Sequence, residues 1–265
     1  MQKLTVTVIT RDEEANIAAA LDSVRWADEI IVVDSQSTDA TVAIAHRFTD
    51  KVTVRPWPGY AAQKNFAAEQ ASHDWILSLD ADERVSPALA TEVRALMDGT
   101  PSATGYRIPR VTNHLGRWIR STDWYPDHQL RLYDRRRARW TGRLVHESVT
   151  AEGPVGRLRG ELQHYAYRDI AHHLQTMDRY TTLAARQMYA DGRRATWVDV
   201  LVTPRLTFFR NYILRGGFRD GMAGLVISAM NSYYVGLKFA KLWELCSPST
   251  STPHAAGAAD KTRSS

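Results

Sequence analysis

The sequence predicts an α/β fold: a mixed, mainly parallel sheet flanked by helices, followed by a helical C-terminal region. In the first hundred residues, apolar runs of strand length alternate with stretches of helical spacing, a pattern typical of βαβ units. The chain has 265 residues and is 44% apolar, which is enough for a sizeable core. From Ile170 onward the spacing of the apolar residues is helical.

Four strands and three helices are predicted before residue 100. The strands are Leu4–Ile9, Glu29–Val33, Lys51–Val54 and Trp75–Leu79. The helices are the amphipathic stretches Asn16–Val24, Thr41–Phe48 and Tyr60–Ala71. In open sheets of this kind, ligands bind beyond the carboxyl ends of the strands. The residues that follow each strand are therefore the first candidates for a functional site.

The segment after the first strand disfavours a dehydrogenase. It is Thr10-Arg11-Asp12-Glu13-Glu14 and contains no glycine. A dinucleotide-binding turn needs glycines because the pyrophosphate approaches the backbone closely. A dinucleotide cannot approach this segment in the usual manner.

The second strand ends in an aspartate. In the segment IIVVDSQSTDAT, Asp34 occupies a position from which a carboxylate accepts hydrogen bonds from the base or ribose of a nucleoside. Ser37, Thr38 and Asp39 offer N-caps for the helix that follows. Turn and cap roles for all four residues are the alternative, and the sequence leaves it open.

The fourth strand ends in an acidic motif. The run WILSLDADE changes abruptly from apolar to acidic residues, and an unpaired buried carboxylate is strongly unfavourable. Residues two apart in an extended chain point the same way, so Asp80 and Asp82 converge while Ala81 turns aside. Mg²⁺ or Mn²⁺ suits such oxygen ligands, together with substrate phosphates. The motif predicts a metal and diphosphate site, and it lacks the glycine and later ligands of an EF-hand.

The middle of the chain is strongly basic. The formal net charge of the whole chain is +5, but the segment from Arg107 to Arg143 alone has ten arginines and three acids. Its interleaved aromatic residues are Trp118, Trp124, Tyr125 and Trp140. Guanidinium groups suit phosphates and carboxylates, and aromatic rings suit the apolar faces of sugars. The segment predicts an anionic saccharide partner; a solvated basic surface with core tryptophans is the alternative, and no nucleic-acid module is visible.

Cysteine use and the N-terminal residues predict a cytoplasmic protein. The single cysteine, Cys246, excludes an internal disulfide framework and suits a reducing compartment. The opening MQKLTVTVITRDEE is too short in its apolar part, and too acidic just afterwards, for a signal peptide.

The C-terminal region predicts helices that contact a membrane. One helix is expected from Ile170 to near Gly192, and Pro204 is expected to interrupt or start the next. Apolar residues then cluster at helical spacing beside arginines, as in interfacial membrane helices. The apolar residues are Phe208, Phe209, Tyr212 and Ile213, and the arginines are Arg205, Arg210, Arg215 and Arg219. Packing against the catalytic domain and self-association into a homo-oligomer are the alternatives.

Two further segments complete the C-terminal region. The uncharged run from Gly221 to Leu237 is near the short limit for a transmembrane span, and we expect it to touch the membrane or to be buried. The tail from Ser247 is rich in Ser, Thr, Pro and Ala and is predicted to be disordered.

Five segments together resemble the inverting family 2 glycosyltransferases, which have the GT-A fold, a Rossmann-like α/β arrangement. They are VITRDEEANI, IIVVDSQSTDAT, QKNFAAEQASHDWILSLDADE, WYPDHQLRLYDR and WTGRLVHESV. The resemblance covers Lys3 to Leu245 and is greatest to the branch that acts in lipopolysaccharide core biosynthesis. It implies a GT-A catalytic domain at residues 1–168, a membrane-associating or packing helical region at 169–246 and a tail at 247–265.

The resemblance also implies a donor site with a bound metal. The implied contacts to the nucleotide sugar are Thr10, Arg11, Glu13, Asp34, Lys64, Asn65, Asp80, Gln129 and Arg131. The implied ligands of Mg²⁺ or Mn²⁺ are Asp82, Asp80 and His146, the last from the VHE element. Family members often have Asn in place of Asp12, which affects only the contact of that residue.

The catalytic base implied by the resemblance is Asp127, in YPDHQLRLYD. An inverting transfer needs one base that takes the proton from the attacking hydroxyl. Asp123 and Glu147 are the reserve candidates, and a turn role after Pro126 is the alternative for Asp127.

The function expected is transfer of a hexose, with UDP-glucose as the expected donor, to an anionic glycolipid such as the lipopolysaccharide inner core. The enzyme is expected to be peripheral on the cytoplasmic face of the inner membrane. Two other classes stay open: hydrolysis by a carboxylate pair without a metal, and a nucleotide-binding, membrane-associated partner protein without turnover.

Overall fold

The computed structural model describes residues 1–142 and 147–247. Two compact units are present, Met1–Arg168 and a second that begins at Asp169. The predictions for His146 and for the tail beyond residue 247 lie outside the described residues.

The first unit is an α/β unit with twelve strands and four α-helices in its described part. The strands are β1 (Leu4–Thr10), β2 (Glu29–Asp34), β3 (Val52–Val54), β4 (Trp75–Asp80), β5 (Glu83–Val85), β6 (Gly105–His114), β7 (Arg117–Ile119), β8 (Asp127–Asp134), β9 (Ala138–Thr141), β10 (Ser148–Ala151), β11 (Val155–Arg157) and β12 (Leu162–His164). The helices are α1 (Ile17–Asp22), α2 (Thr41–Ala45), α3 (Tyr60–Glu69) and α4 (Pro87–Asp98), with a 3₁₀ turn at Thr122–Trp124.

The main sheet is mixed, as predicted. Its order is β3-β2-β1-β4-β8-β6-β12-β5, and β7 and β11 also pair with β6. The first four strands are mutually parallel, and β8 joins β4 and β6 antiparallel. Strands β9 and β10 form a separate antiparallel pair. Because β8 pairs with β4, the segment WYPDHQLRLYDR lies directly beside the strand that ends in the acidic motif.

The central strands are buried on both faces, which is why they appear as continuous apolar runs. Successive side chains point to opposite faces: Val32 and Leu77 belong to one core cluster, and Val33 and Ile76 belong to the other. The charged residues of β1, β2 and β4 lie only at strand ends: Glu29 begins β2, and Asp34 and Asp80 end β2 and β4. The two aspartates lie at the sheet edge formed by the carboxyl ends of these parallel strands.

The second unit is helical. It contains α5 (Ile170–Ala190), α6 (Trp197–Phe209), a π-helical turn at Arg210–Leu214, a 3₁₀ turn at Gly217–Asp220 and α7 (Gly221–Cys246). The Asp169 carboxylate caps α5 by accepting the backbone N–H of His172 at 2.7 Å, and Thr196 and Asp199 form a capping box for α6. Among residues 147–247 and 1–142, no helix is both long and apolar enough to cross a membrane.

Pro204 departs from its predicted place. It lies inside α6 instead of at a helix boundary. Its carbonyl accepts the Ser232 hydroxyl at 2.7 Å, and its ring lies 3.3 Å from where a Cβ would stand on Gly236. Proline has no N–H and so cannot supply the helical hydrogen bond to the carbonyl of Val200, four residues earlier; the neighbouring α7 packs against this turn through Ser232 and Gly236.

Candidate active site

Three strand ends meet at one edge of the sheet in the first unit. In the strand register, Thr10 is paired with Asp34 and Ile9 is paired with Asp80. The predicted nucleoside residues and the acidic motif are therefore carried by adjacent parallel strands. This arrangement follows from the order β2-β1-β4, which sequence periodicity alone does not give.

Asp80 lies between two buried cations. Its carboxylate is 2.9 Å from Nζ of Lys64 on α3 and 2.5 Å from Nη2 of Arg131 on β8. Burial raises the pKa of Asp80, but Arg131 and Lys64 outweigh this effect and hold it far below its usual range. The Lys64 ammonium also lies 4.1 Å from the ring centroid of Trp140. Asp80 is thus a permanently ionised group at the sheet edge.

Glu83 is a buried carboxylate that the sequence-based site did not include. It is 0% exposed, and its Oε1 accepts from Nη1 of Arg110 at 3.1 Å and from Nη2 of Arg131 at 3.0 Å. Its Oε2 accepts the backbone N–H of Asp80 at 3.1 Å. The signal was its place at the end of the same acidic run, where burial requires a partner.

Asp127 begins β8 and is held by two neighbours. Its Oδ2 accepts from Arg110, with Nε at 2.9 Å and Nη2 at 2.6 Å, and its Oδ1 accepts from the Gln129 amide at 2.6 Å. Gln129 and Arg131 share a face of β8, as their spacing predicts. Arg110, near the start of the basic segment, links Asp127 to Glu83 and was not among the predicted site residues.

Arg131, like Lys64, is almost completely buried. Burial lowers the pKa of Arg131, but Asp80 and Glu83 outweigh this effect and raise it. Its Nε and Nη1 have no hydrogen-bond partner among the described residues. Each unpaired buried donor costs about 1–3 kcal/mol, so the site as it stands is under-satisfied.

Asp82 faces a histidine of β12. Its Oδ2 lies 3.3 Å from Nε2 of His164, and its backbone carbonyl accepts the N–H of Tyr165 at 2.9 Å. Burial raises the pKa of Asp82, but His164 outweighs it, and the net pKa is lowered. His164 is another site residue that the sequence did not single out, because β12 reaches the site only through the sheet topology.

The donor set fits a cation that is held mainly by a substrate. Within residues 1–142 and 147–247, no cluster of three His, Cys, Asp or Glu side chains is able to hold a metal alone. Asp82 keeps 27% of its side chain exposed and offers an ionised carboxylate, whereas both oxygens of Asp80 are paired with cations. Mg²⁺ commonly uses one or two carboxylates plus phosphates, and this site matches that pattern.

The two loops after β1 and β2 are tied together by polar side chains. Asp12 has a positive φ of 52°, and its carboxylate accepts the N–H of Thr38 at 2.8 Å. Aspartate tolerates this backbone region nearly as well as asparagine. Ser37 donates its N–H to Oδ1 of Asp34 at 2.8 Å, and its hydroxyl to Oδ2. Asp34 is fully buried, and both of its carboxylate oxygens accept from Ser37. It therefore has the local turn role that the sequence left open.

The other predicted nucleoside residues differ in exposure. Thr10 is buried at the end of β1, and Arg11 is exposed with Asp12 at 3.7 Å. Burial is the main cause that raises the pKa of Glu13, and nearby Asp82 adds to it, while Asn16 opposes the rise by donating to its Oε2 at 2.8 Å. Glu13 therefore lies close enough to Asp82 for the two carboxylates to repel each other.

Asn65 and the reserve bases have separate surroundings. The Asn65 amide is paired with the backbone of Trp140, donating to its carbonyl and accepting its N–H, both at 2.9 Å. This pairing anchors α3 on β9 and so holds Lys64 under Asp80. Asp123 lies exposed in the 3₁₀ turn, and Glu147 is half-buried just before β10.

The basic segment is largely neutralised within the first unit. Arg120 donates from Nη2 to Glu161 at 2.6 Å, and Arg136 lies 2.6 Å from Asp134 and 3.0 Å from Asp74. Arg110 and Arg131 belong to the site. The exposed arginines that remain, such as Arg107 and Arg139, are the ones open to an anionic partner.

Two of the solved structures similar to this chain are from S. aureus and Mycobacterium tuberculosis. S. aureus TarS 1–349, in complex with UDP-GlcNAc, is 14% identical with a TM-score of 0.47, covering 91% of this chain and 90% of that chain. Glucosyl-3-phosphoglycerate synthase from Mycobacterium tuberculosis, in complex with Mg²⁺ and UDP, is 24% identical with a TM-score of 0.35, covering 42% of this chain and 44% of that one.

Sequence relatives match nearly the whole chain. The lipopolysaccharide core biosynthesis glycosyltransferase LpsC of Rhizobium meliloti (strain 1021) is 32% identical, covering 91% of this chain and 92% of the relative. An uncharacterized glycosyltransferase of Rickettsia typhi (strain ATCC VR-144 / Wilmington) is 31% identical, covering 92% of this chain and 88% of the relative. The profile of glycosyl transferase family 2 matches residues 5–152, which include the acidic motif, Arg110, Asp127 and Arg131. With its GT-A-like mixed sheet and its strand-end carboxylates, this chain belongs to glycosyl transferase family 2 and is a glycosyltransferase related to one that acts in lipopolysaccharide core biosynthesis.

Proposed function

We propose that this enzyme is a metal-dependent, inverting glycosyltransferase that moves glucose from UDP-glucose to an anionic lipid-linked saccharide. The acceptor proposed is the inner core of lipopolysaccharide, at the cytoplasmic face of the inner membrane. The name of the Rhizobium meliloti relative, a lipopolysaccharide core biosynthesis glycosyltransferase, supports this class of acceptor. The single cysteine supports a reducing compartment.

The observation that carries the proposal is the accessibility of three carboxylates beside buried cations. The side chains of Asp80, Asp82 and Asp127 stay 27%, 27% and 31% exposed. Lys64 and Arg131 beside them are almost completely buried. A structural ion-pair cluster has no need of exposed carboxylates, whereas a donor site needs an edge that a diphosphate and a cation can reach.

The donor is bound along the ends of β1, β2 and β4. The nucleoside lies against Thr10, Arg11, Glu13 and Asp34, and Lys64, Asn65, Gln129 and Arg131 lie nearer the diphosphate. Asp82, with Asp80 behind it and His146 as a further candidate, would hold a divalent cation that the phosphates of the donor help to bind. When bound, this cation acts as a Lewis acid for the diphosphate leaving group.

Asp127 is the base of the transfer. It takes the proton of the acceptor hydroxyl, whose oxygen then attacks the anomeric carbon from the side opposite the diphosphate. The bond to UDP breaks in the same displacement, so the anomeric configuration inverts and no glycosyl-enzyme intermediate forms. Arg131 and Lys64 counter the negative charge that develops on the departing UDP.

The transfer test uses UDP-glucose and lipid-linked acceptor extracts, with the anomeric configuration of the product as readout. We expect an inverted product that requires Mn²⁺ or Mg²⁺ and that is lost after chelation. Retained configuration would contradict the single displacement, and activity that survives complete chelation would favour a metal-free glycosidase. Donor binding without transfer to any extract would favour the partner protein without turnover.

The helical unit is proposed to meet the membrane surface through α6 and the turn after it. Its apolar face comprises Val198, Leu201, Leu206, Phe209, Ile213 and Leu214, all exposed, and Leu206 and Leu214 are 62% and 69% exposed. Arg205, Arg210 and Arg215 lie on the same segment. Apolar residues beside cations match an anionic lipid surface. The rivals are packing on another surface and a homo-oligomer.

Vesicle co-sedimentation tests this contact. We expect Leu206→Ser to weaken binding to anionic vesicles about tenfold, because the burial of one leucine side chain in the lipid surface is lost. The matched control is Leu183→Ser, an exposed leucine of α5 outside the apolar face. Equal effects of the two substitutions, or equal binding to neutral vesicles, would contradict the proposal, and a dimer that Leu206→Ser dissociates would favour self-association.

A further inference from the structure

Glu83 joins the two functional ends of the site. It begins β5, is fully buried and shares its Oε1 between Arg110 and Arg131, at 3.1 and 3.0 Å. Each arginine continues to an exposed carboxylate: Arg110 to Asp127 and Arg131 to Asp80. Charges of opposite sign therefore alternate without a break from Asp127 to Lys64.

This alternating row has balanced charge. Its members are Asp127, Arg110, Glu83, Arg131, Asp80 and Lys64, three acids and three bases, with contacts between 2.5 and 3.1 Å. Removing the charge of a buried carboxylate in contact with two guanidinium groups is costly, because both cations then lose a partner. Glu83 is the one member of the row without solvent exposure.

We infer that Glu83 is a positioning residue that sets the distance between the proton acceptor and the leaving-group site. This inference rests on the proposed function. An in-line displacement requires the base on one side of the anomeric carbon and the diphosphate on the other, and small misplacements are costly. Glu83 fixes both arginines from one buried atom, so the two ends cannot shift independently.

Loss of the Glu83 charge has two consequences. Arg110 then interacts with Asp127 alone, which draws the base toward the guanidinium and away from the acceptor hydroxyl. Arg131 keeps its contact with Asp80, so the diphosphate site survives. The catalytic constant falls, and donor binding changes little.

The test is Glu83→Gln, which keeps the size of the side chain and removes its charge. We expect kcat to fall about 100-fold, with the KM for the UDP-sugar within about threefold of the wild type. The matched control is Glu29→Gln, another buried, ion-paired glutamate of the same sheet, outside the site. It should keep the wild-type kcat at a temperature where it is folded.

A double-mutant cycle with Arg110→Gln adds a readout that a purely structural role would not give. If Glu83 acts through Arg110, the double variant loses no more kcat than the worse single variant. Multiplicative losses would contradict the inference. If Glu83→Gln does not fold, the same cycle is measured with Glu83→Asp and Arg110→Gln. Because Glu83→Asp retains the charge, it should keep part of the wild-type kcat.

Three results would overturn the inference: wild-type kcat in Glu83→Gln, a loss no larger than in Glu29→Gln, or loss of UDP binding in parallel with kcat. A wild-type enzyme that binds UDP-sugars but transfers nothing would count against the proposed function, and with it against this inference. The two failures are distinguishable because only the first requires an active wild type.

Discussion

The first unit contains two buried glutamate clusters, at Glu29 and at Glu83, which use the same chemistry differently. Glu29, at the start of β2, accepts from Lys51, from the Thr5 hydroxyl at 2.5 Å and from Ser72, whose N–H is at 2.8 Å and hydroxyl at 2.6 Å. Both of its oxygens are fully used. The Glu83 cluster instead has unpaired Arg131 donors within the described residues and exposed carboxylates at its rim.

The difference separates a structural ion-pair cluster from a candidate site. A cluster whose hydrogen-bonding groups are all paired has no free group for a ligand, and its interactions stabilise the folded state. An under-satisfied cluster keeps part of its hydrogen-bonding capacity, which a ligand is able to use. Both clusters belong to one sheet, so substitutions in one are natural controls for the other.

The largest effect is expected from removing the base. Asp127→Asn should reduce transfer by about 10²–10⁴-fold, because it removes the proton acceptor and keeps the shape of the side chain. UDP-dependent thermal stabilisation should remain. The matched control is Asp134→Asn, at the other end of β8, where the carboxylate pairs with Arg136; kinetic assays on both variants should separate them. Equal activities of the two would refute the role of Asp127.

The second effect concerns stability at the Glu29 cluster. Burial raises the pKa of Glu29, but Lys51, Ser72 and Thr5 outweigh this and lower it to about 2. Relative to an unfolded value of 4.5, this is up to about 3 kcal/mol of stability at neutral pH. Urea unfolding of Glu29→Gln should show a loss of that order, with unchanged kcat. A large loss of kcat in the folded variant would contradict a purely structural role of the Glu29 cluster.

The pH dependence of unfolding tests whether the ion pairing of Glu29 stabilises the fold. Because the folded pKa of Glu29 lies below its unfolded value, its stabilising contribution is fully present above pH 4.5 and is lost as the pH falls toward about 2. The slope should reach about 1.4 kcal/mol per pH unit from this group alone. Chemical denaturation across this range should give a shallower profile in Glu29→Gln than in the wild type. Identical slopes would mean that Glu29 is not ionised in the folded state.

The smallest effect is expected from a charge-conserving change at the donor site. Arg131→Lys keeps one positive charge but loses the planar guanidinium fork, whose Nη2 contacts both Asp80 and Glu83 and whose Nε and Nη1 have no partner among the described residues. We expect about tenfold weaker UDP-sugar binding, about 1.4 kcal/mol. Arg136→Lys, in the turn that follows β8, serves as the control in the same titration. Unchanged binding in Arg131→Lys would show that the fork is not needed.

Sequence patterns predicted much of the sheet and part of the site, for physical reasons. The central strands are buried on both faces, so Leu4–Thr10 and Trp75–Asp80 stand out as apolar runs. Carboxylates at their ends stand out because burial there needs partners. The ion pair of Glu83 and Arg110 could not be predicted, since it joins residues 27 apart on β5 and β6, which β12 separates in the folded sheet. His164 was missed because β12 reaches the site only through the sheet topology, and the place of Pro204 was missed because the packing of α7 against α6 is not visible in the local sequence.

The most direct test of the account is the melting temperature of the protein with UDP-glucose and other nucleotide sugars, each with and without Mn²⁺. Ligand binding to the native state adds about 2.7 kcal/mol at a hundredfold excess over Kd. We predict a metal-dependent shift for one UDP-sugar, kept in Glu29→Gln and lost in Asp82→Ala. No shift with any nucleotide sugar in a folded sample, or a full shift in Asp82→Ala, would contradict a donor site at this sheet edge.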